Sequence, residues 1–233
     1  MQVFIVHAHH EPQSFCSALR DVGVEVLSAA GHEVRQSDLY QMGFKAVADG
    51  TDFVQRANPS YLKYQAEQRG ASETNGFAGD IVAEQKKLLW ADHIIFIFPL
   101  WWFGLPAILK GWFDRVLSVG FAYGGGRWFD TGPLKGRRAL LTITTGGLSD
   151  RFREDGLFGD FNTILHPVRV GTLNFVGIET LAPFVAWGAA SVSPAQRGAY
   201  LEDYRHRLVG LAGEPAEKFR SLADFPVPRS RDH

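Results

Sequence analysis

At 233 residues, 45% of them hydrophobic and 21% charged, the chain is long enough to bury one substantial core. A formal net charge of −1 gives no bulk attraction to nucleic acid or an anionic membrane, and no apolar run reaches the roughly 18 residues of a membrane span. The single cysteine, Cys16, leaves no internal disulfide or cysteine-based metal site, and Met1 runs straight into an apolar stretch instead of a cleavable leader, so a cytoplasmic protein is expected.

Val3 to Val6 is wholly apolar and opens into His7-Ala8-His9-His10-Glu11-Pro12, which predicts a buried central strand followed by a polar loop. Ser14 is placed to cap a helix in which Phe15, Leu19, Val22 and Val26 share one face until Gly31. A more polar strand is expected over Glu33 to Leu39. From Gln41 to Gly79 the sequence lacks periodicity, and so long an excursion inside a compact domain is expected to serve a ligand or a partner. Helical spacing resumes at Asp80 with Ile81, Val82, Leu88 and Leu89.

Ile94 to Phe98 predicts a second buried strand. It halts at Pro99, crosses Leu100, Trp101, Trp102, Phe103 and Gly104, and restarts as a helix from Pro106 to Val119 with one apolar stripe. Ligands of open α/β sheets sit at such carboxyl strand ends, and flat rings beside free amides suit a flat, polar-edged heterocycle such as a flavin. Adjacent aromatics can also simply cap a core, but Gly104 and the two prolines are punctuation that a core strand does not need. Arg138 to Thr144 predicts a fourth strand and Thr145-Gly146-Gly147 a turn. A helix bent near Pro167 is expected over Asn162 to Val176, a fifth strand over Glu179 to Val185 with Pro183 marking an edge, and a last helix from Pro194 to about Leu211.

Residues 1–212 therefore read as one α/β domain on a doubly wound parallel sheet, with residues 213–233, including Pro226, Pro228 and Asp232, as an extended tail. Five strands favour the flavodoxin-like order 2-1-3-4-5 over a six-stranded Rossmann sheet. No G-x-G-x-x-G follows the first strand, and Gly124-Gly125-Gly126 precedes no helix, so it reads as a turn. The histidine cluster at His7, His9 and His10 lacks a cysteine or carboxylate partner at metal-ligand spacing, and no metal is expected.

Asp80-Ile-Val-Ala-Glu-Gln-Lys-Lys-Leu88, the run Phe98 to Phe113 and Thr142-Ile-Thr-Thr-Gly-Gly147 resemble the NAD(P)H:quinone oxidoreductase family of DT-diaphorase type, with similarity from Val3 to about Leu208. The resemblance implies a flavodoxin-like homodimer that binds FAD and passes two electrons by a ping-pong route from NADPH or NADH to quinones or related flat acceptors. It assigns His9, Ser14 and Phe15 to the pyrophosphate and ribityl chain, with Cys16 standing where relatives commonly have asparagine. It assigns Pro99, Leu100, Trp101, Trp102, Phe103 and Gly104 to the ring, Trp101 replacing a common glutamine, and Thr144, Thr145, Gly146 and Gly147 to the ring's O2 edge. Lys63, Tyr64 and Arg197 fall where relatives hold the adenine half. The substrate floor is assigned to Trp102, Phe103, Tyr123, Gly146 and Gly147, extended by Trp128 and Phe129, with Phe175 reaching across from the partner. Catalytic positions fall on Gly146 and Gly147 and on Phe152 and Phe158, the last two standing where relatives carry a tyrosine and a histidine that neutralise charge on the ring. A flavin-bound ancillary subunit with little turnover and an FMN-dependent azo- or nitroreductase are the competing readings.

Overall fold

The computed structural model describes residues 1–217 and 219–225; Pro226, Pro228 and Asp232 lie outside the described residues. The apolar amino-terminal run is hydrogen-bonded on both sides: β1 (Gln2–His7) lies between β2 (Glu33–Asp38) and β3 (His93–Pro99), and β3 lies beside β4 (Arg138–Thr144). All these pairings are parallel, and the order β2-β1-β3-β4-β5 is the expected one. The expected fifth strand comes as two pieces, β5 (Glu179–Thr180) and β6 (Phe184–Ala186), each paired with β4. Pro183, between them, has no amide hydrogen to give the ladder.

Helices cover both faces of the sheet, each with its apolar stripe turned inward. On one face α1 (Phe15–Ala29) and α6 (Pro194–Val209) bury Leu19, Tyr204 and Leu208 against Val3, Ile5 and Ile95. On the other, α3 (Gly79–Trp90), α4 (Ala107–Val116) and α5 (Phe161–Val168) bury Leu88, Trp112 and Leu165 against Phe4, Phe96 and Leu141. The helix α4 stops at Val116, short of the expected Val119, and the following amide of Val119 donates to the side chain of Gln68 instead. After Pro167, which has no amide hydrogen for the α5 ladder, the helix continues as a π turn over Arg169–Asn174.

The excursion from Gln41 to Gly79 is more ordered than its lack of periodicity implied. It carries α2 (Tyr64–Thr74), whose Glu67 accepts the amides of Ala57 and Asn58 at 2.7 and 3.0 Å. Arg115 of α4, only 1% exposed, clamps it: the guanidinium pairs with Asp52 at 2.8 Å and Asp80 at 2.6 Å and donates to the carbonyl of Lys45. The fit is close enough that a Cβ on Gly111 would stand 2.1 Å from the Ala46 carbonyl oxygen. Beyond α6 the described part of the tail follows the body, with the Glu217 amide on Thr180, Ser221 and Leu222 donating to Asp130, and a short 3-10 turn over Leu222–Asp224.

Candidate active site

The carboxyl ends of β1, β3 and β4 bring three loops around one crevice of about 650 Å³. His9, Ser14, Phe15, Cys16, Pro99, Leu100, Trp101, Thr144, Thr145, Gly146 and Arg197 line it. Gln13, Ala189 and Ala190 line it too, without any pattern that marked them; the last two arrive from the loop before α6 through tertiary packing.

The β1 loop ends at Ser14, which caps α1: its hydroxyl accepts the amide of Ser17 at 3.1 Å. The first amides of α1 have no intrahelical partner and carry the positive end of the helix dipole, so they suit an anion. His9 Nδ1 accepts the Glu11 amide at 3.0 Å, which leaves Nε2 as the hydrogen-bearing nitrogen of the neutral ring. Burial and the stacked ring of His10, centroids 4.7 Å apart, hold the His9 pKa below its ordinary value. Arg197 is aimed by hydrogen bonds to the carbonyls of Ala189 and Val192. Cys16 is buried, its sulfur 3.2 Å from Thr144 Oγ1, and burial pushes its thiol up to about 12, so it is a packing group and not a nucleophile.

The β3 loop is a tight turn in which Trp101 and Gly104 exchange amide and carbonyl at 2.9 and 3.1 Å. Its two central residues, Trp102 and Phe103, have φ of 52° and 57°, a left-handed region costly for large side chains. Their amides make no hydrogen bond to the described residues, and Trp102 is 98% exposed. Strain of this kind at a strand end, with free donors and an exposed ring, marks a place built for a ligand.

The β4 loop is clamped from behind. Thr145 gives its amide to Ala186 and its hydroxyl to Gly147, while Gly188 and Ala189 donate back to Gly147 and Thr145. Space beside Gly146 is open, whereas a Cβ on Gly147 would meet Phe152 and Phe158 at 3.0 Å each. These two rings, 5.1 Å apart, join Phe103, Phe161 and Trp187 in one apolar wall. Arg151 is exposed and Arg153 is turned to Asp155 at 3.1 Å.

The remaining candidates are divided. Tyr123 packs on Phe175 at 5.4 Å, Trp128 stacks on the same ring at 6.2 Å and Phe129 meets it edge-on. Tyr123 and Phe175 line a second crevice of about 460 Å³ with Tyr64, Gln65 and Lys110. Within the chain, Tyr123 and Phe175 therefore stand together, in a different crevice from Trp101 and the Thr144 to Gly146 loop. Lys63 is exposed at the start of α2, outside the first crevice, and the Tyr64 hydroxyl is committed to Asp52 at 2.6 Å. No group of three metal-ligating side chains occurs among the described residues, and no helix there is long and apolar enough to cross a membrane.

Residues 1–208 match the flavodoxin-like fold family. The ribosyldihydronicotinamide dehydrogenase [quinone] of Mus musculus is 44% identical over 211 residues, covering 90% of this chain and 91% of that protein. NAD(P)H dehydrogenase [quinone] 1 of Rattus norvegicus is 42% identical, covering 89% of this chain and 76% of its own. A solved structure from Klebsiella pneumoniae superposes with a TM-score of 0.91 at 38% identity, covering 94% of this chain and 88% of that one. With identity of this level along nearly the whole fold, and with the three loops placed as described, the chain belongs to the flavodoxin-like family that includes the NAD(P)H dehydrogenases [quinone].

Proposed function

We propose that this protein is a flavin-dependent NAD(P)H:quinone oxidoreductase that uses FAD and works as a homodimer in the cytoplasm. The observation that carries the reading is the convergence of the Ser14 cap, the Trp101 to Gly104 turn and the Thr144 to Gly147 loop on one crevice at the carboxyl edge of the sheet. The donor set fits the cofactor. The amides at the start of α1, the Ser14 hydroxyl, His9 Nε2 and Arg197 suit a diphosphate. The free amides of Trp102 and Phe103 suit the polar edge of a ring system.

A bound flavin supplies reversible two-electron chemistry with hydride donors and quinones. The chain does the rest. Thr145 and the 186–189 segment hold the backbone of Gly146 and Gly147 rigid, so donors face the place where negative charge collects without reorganising. Phe103, Phe152 and Phe158 keep water from one side, and a site walled by rings accepts flat neutral substrates by shape.

The division of the aromatic residues supports a dimer. Trp102 stands free on one side of the chain's site, while Tyr123, Trp128 and Phe175 gather at another crevice. A second copy that lays its Tyr123 and Phe175 over Trp102 and Phe103 completes the pocket and covers the exposed rings.

The test is the purified protein itself. Acid extraction should release FAD, NADPH without oxygen should bleach the flavin band, a quinone should restore it, and light scattering should give twice the chain mass. Absence of flavin together with failure to take up added FAD overturns the reading. Bound flavin that NADPH does not bleach would favour an ancillary subunit, and the donor-free Phe152 and Phe158 wall is the feature that would explain it.

A further inference from the structure

Beneath the Ser14 cap lies a buried polar chain that the proposed reaction does not use. Asp38 Oδ2, at the end of β2, is 3.0 Å from His7 Nδ1, and His7 Nε2 is 3.4 Å from the Ser17 hydroxyl. Ser17 Oγ is in turn 3.0 Å from Ser14 Oγ and 2.9 Å from the carbonyl of Glu11, in the loop that precedes the cap. His7 is 1% exposed and Ser17 0%. Acid, imidazole and hydroxyl stand in the sequence familiar from nucleophilic triads, but a serine sealed inside α1 cannot reach a substrate, so the array must act on its neighbours.

We infer that His7 is a positioning residue whose protonation state sets the Ser17 and Ser14 hydroxyls at the start of α1, and so makes the affinity for a bound diphosphate depend on pH. The inference rests on the proposed reading that this loop holds FAD. Asp38 fixes the tautomer: a neutral His7 must place its hydrogen on Nδ1, facing the carboxylate, and leave Nε2 as a lone pair. A buried lone pair needs a donor, and Ser17 is the hydroxyl within reach. Its one hydrogen is then drawn away from the Glu11 carbonyl, and Ser17 Oγ becomes the acceptor for the Ser14 hydroxyl. In that state the Ser14 hydrogen points inward.

Protonation reverses the array. Nε2 donates to Ser17, the Ser17 hydrogen returns to Glu11 and secures the loop, and the Ser14 hydrogen is released toward the crevice, where an anion can take it. The groups facing His7 are Asp38 from β2, Arg20 from α1 and His9 from its own loop, with the apolar Ile97 beside it on β3. Arg20 is tied to the same Asp38 oxygen at 2.7 Å, so the carboxylate is shared and only partly offsets the burial of the ring. Burial comes first and holds the His7 pKa below its ordinary value, opposed by Asp38 and reinforced by Arg20.

The experiment is titration of FAD into flavin-stripped protein, read by quenching of flavin fluorescence, from about pH 8 down to about pH 5.5, where the diphosphate itself does not titrate. Affinity of the unaltered protein should rise as pH falls, approaching about tenfold, the factor that one pK unit of coupling between His7 and the bound anion gives. His9, also held below its ordinary value by burial and His10, faces the same crevice, so the comparison with variants decides. His7→Gln, whose amide does not titrate in this range, and Ser17→Ala, which cuts the connection, should both flatten the profile. Equal pH dependence in all three proteins overturns the inference. So does a profile flattened by His7→Gln but kept by Ser17→Ala, which would leave only the charge of the ring at work. Should His7→Gln not fold, Ser17→Ala alone still decides, because alanine fits the serine site within α1. No FAD binding by the unaltered protein at any pH would instead defeat the reading on which the inference rests.

Discussion

Phe152 and Phe158 are the residues where this chain most changes the chemistry open to it. Both lie against Gly147, and neither ring can donate a hydrogen bond to charge that gathers beside that loop. Arg151 is exposed and Arg153 pairs with Asp155 at the surface. Reduction of the flavin by NADPH should therefore be slow relative to its reoxidation by quinone. The double change Phe152→Tyr with Phe158→His should accelerate reduction about tenfold, equivalent to about 1.4 kcal/mol of transition-state stabilisation. Rapid mixing resolves both half-reactions; an unaltered protein whose reduction already outpaces reoxidation, unchanged by the substitutions, would show that the Gly146 and Gly147 backbone suffices. The Gly146-Gly147 turn was legible because glycines after an apolar strand announce a loop at a sheet's carboxyl edge, whereas Phe152 and Phe158 were marked only by the family resemblance. The wall itself was not: Phe103, Phe152, Phe161 and Trp187 are scattered along the chain and meet only through the fold.

Among the elements, the best-read were those whose own residues carry the signal. β4 has its expected bounds, Arg138–Thr144, and α1 begins at the expected cap because Ser14 bonds locally to Ser17. The excursion was opaque for the opposite reason. The α2 helix is polar and is held by distant groups, Glu67 on the 57–58 amides and Gln68 on Asp114 and Val119, none of which a periodicity reveals. The break in the fifth strand at Pro183 and the π turn after Pro167 were marked by their prolines, but not in extent. The clamp between α4 and the excursion gives a direct test. Gly111→Ala forces a methyl against the Ala46 carbonyl, where no flexible side chain can yield. It should cost about 1 to 3 kcal/mol in denaturant unfolding and loosen the excursion, seen as faster amide exchange between residues 44 and 52. Unchanged stability would mean that the excursion is not seated on α4 as described.

For the molecule as a whole, stability should fall as pH falls, and in two stages. Burial holds His7 below its ordinary value, and burial with nearby Arg138 does the same for His93, whose ring nitrogens have no partner among the described residues. The unfolded chain therefore takes up protons first, near pH 6.5, so stability present above about that pH is lost as pH drops toward the folded values. A second loss follows below about pH 4, as the unfolded carboxylates protonate. Burial opposes the charge on Asp52, but Arg115, Lys45 and Tyr64 outweigh it, while the backbone amides of Asn58 and Ala57 hold Glu67 low. Melting temperatures between about pH 8 and pH 3 check this, and a flat profile above pH 5 would contradict the histidine stage. The strained Trp102 and Phe103 turn gives the molecule a different kind of vulnerability. Two left-handed residues are what Asn-Gly supplies without cost, so exchanging the pair for Asn-Gly should raise stability by about 2 kcal/mol while removing the rings. Selection for robustness alone would thus erode this corner of the protein, and a lineage that keeps Trp-Phe here records a continuing demand for what the rings do.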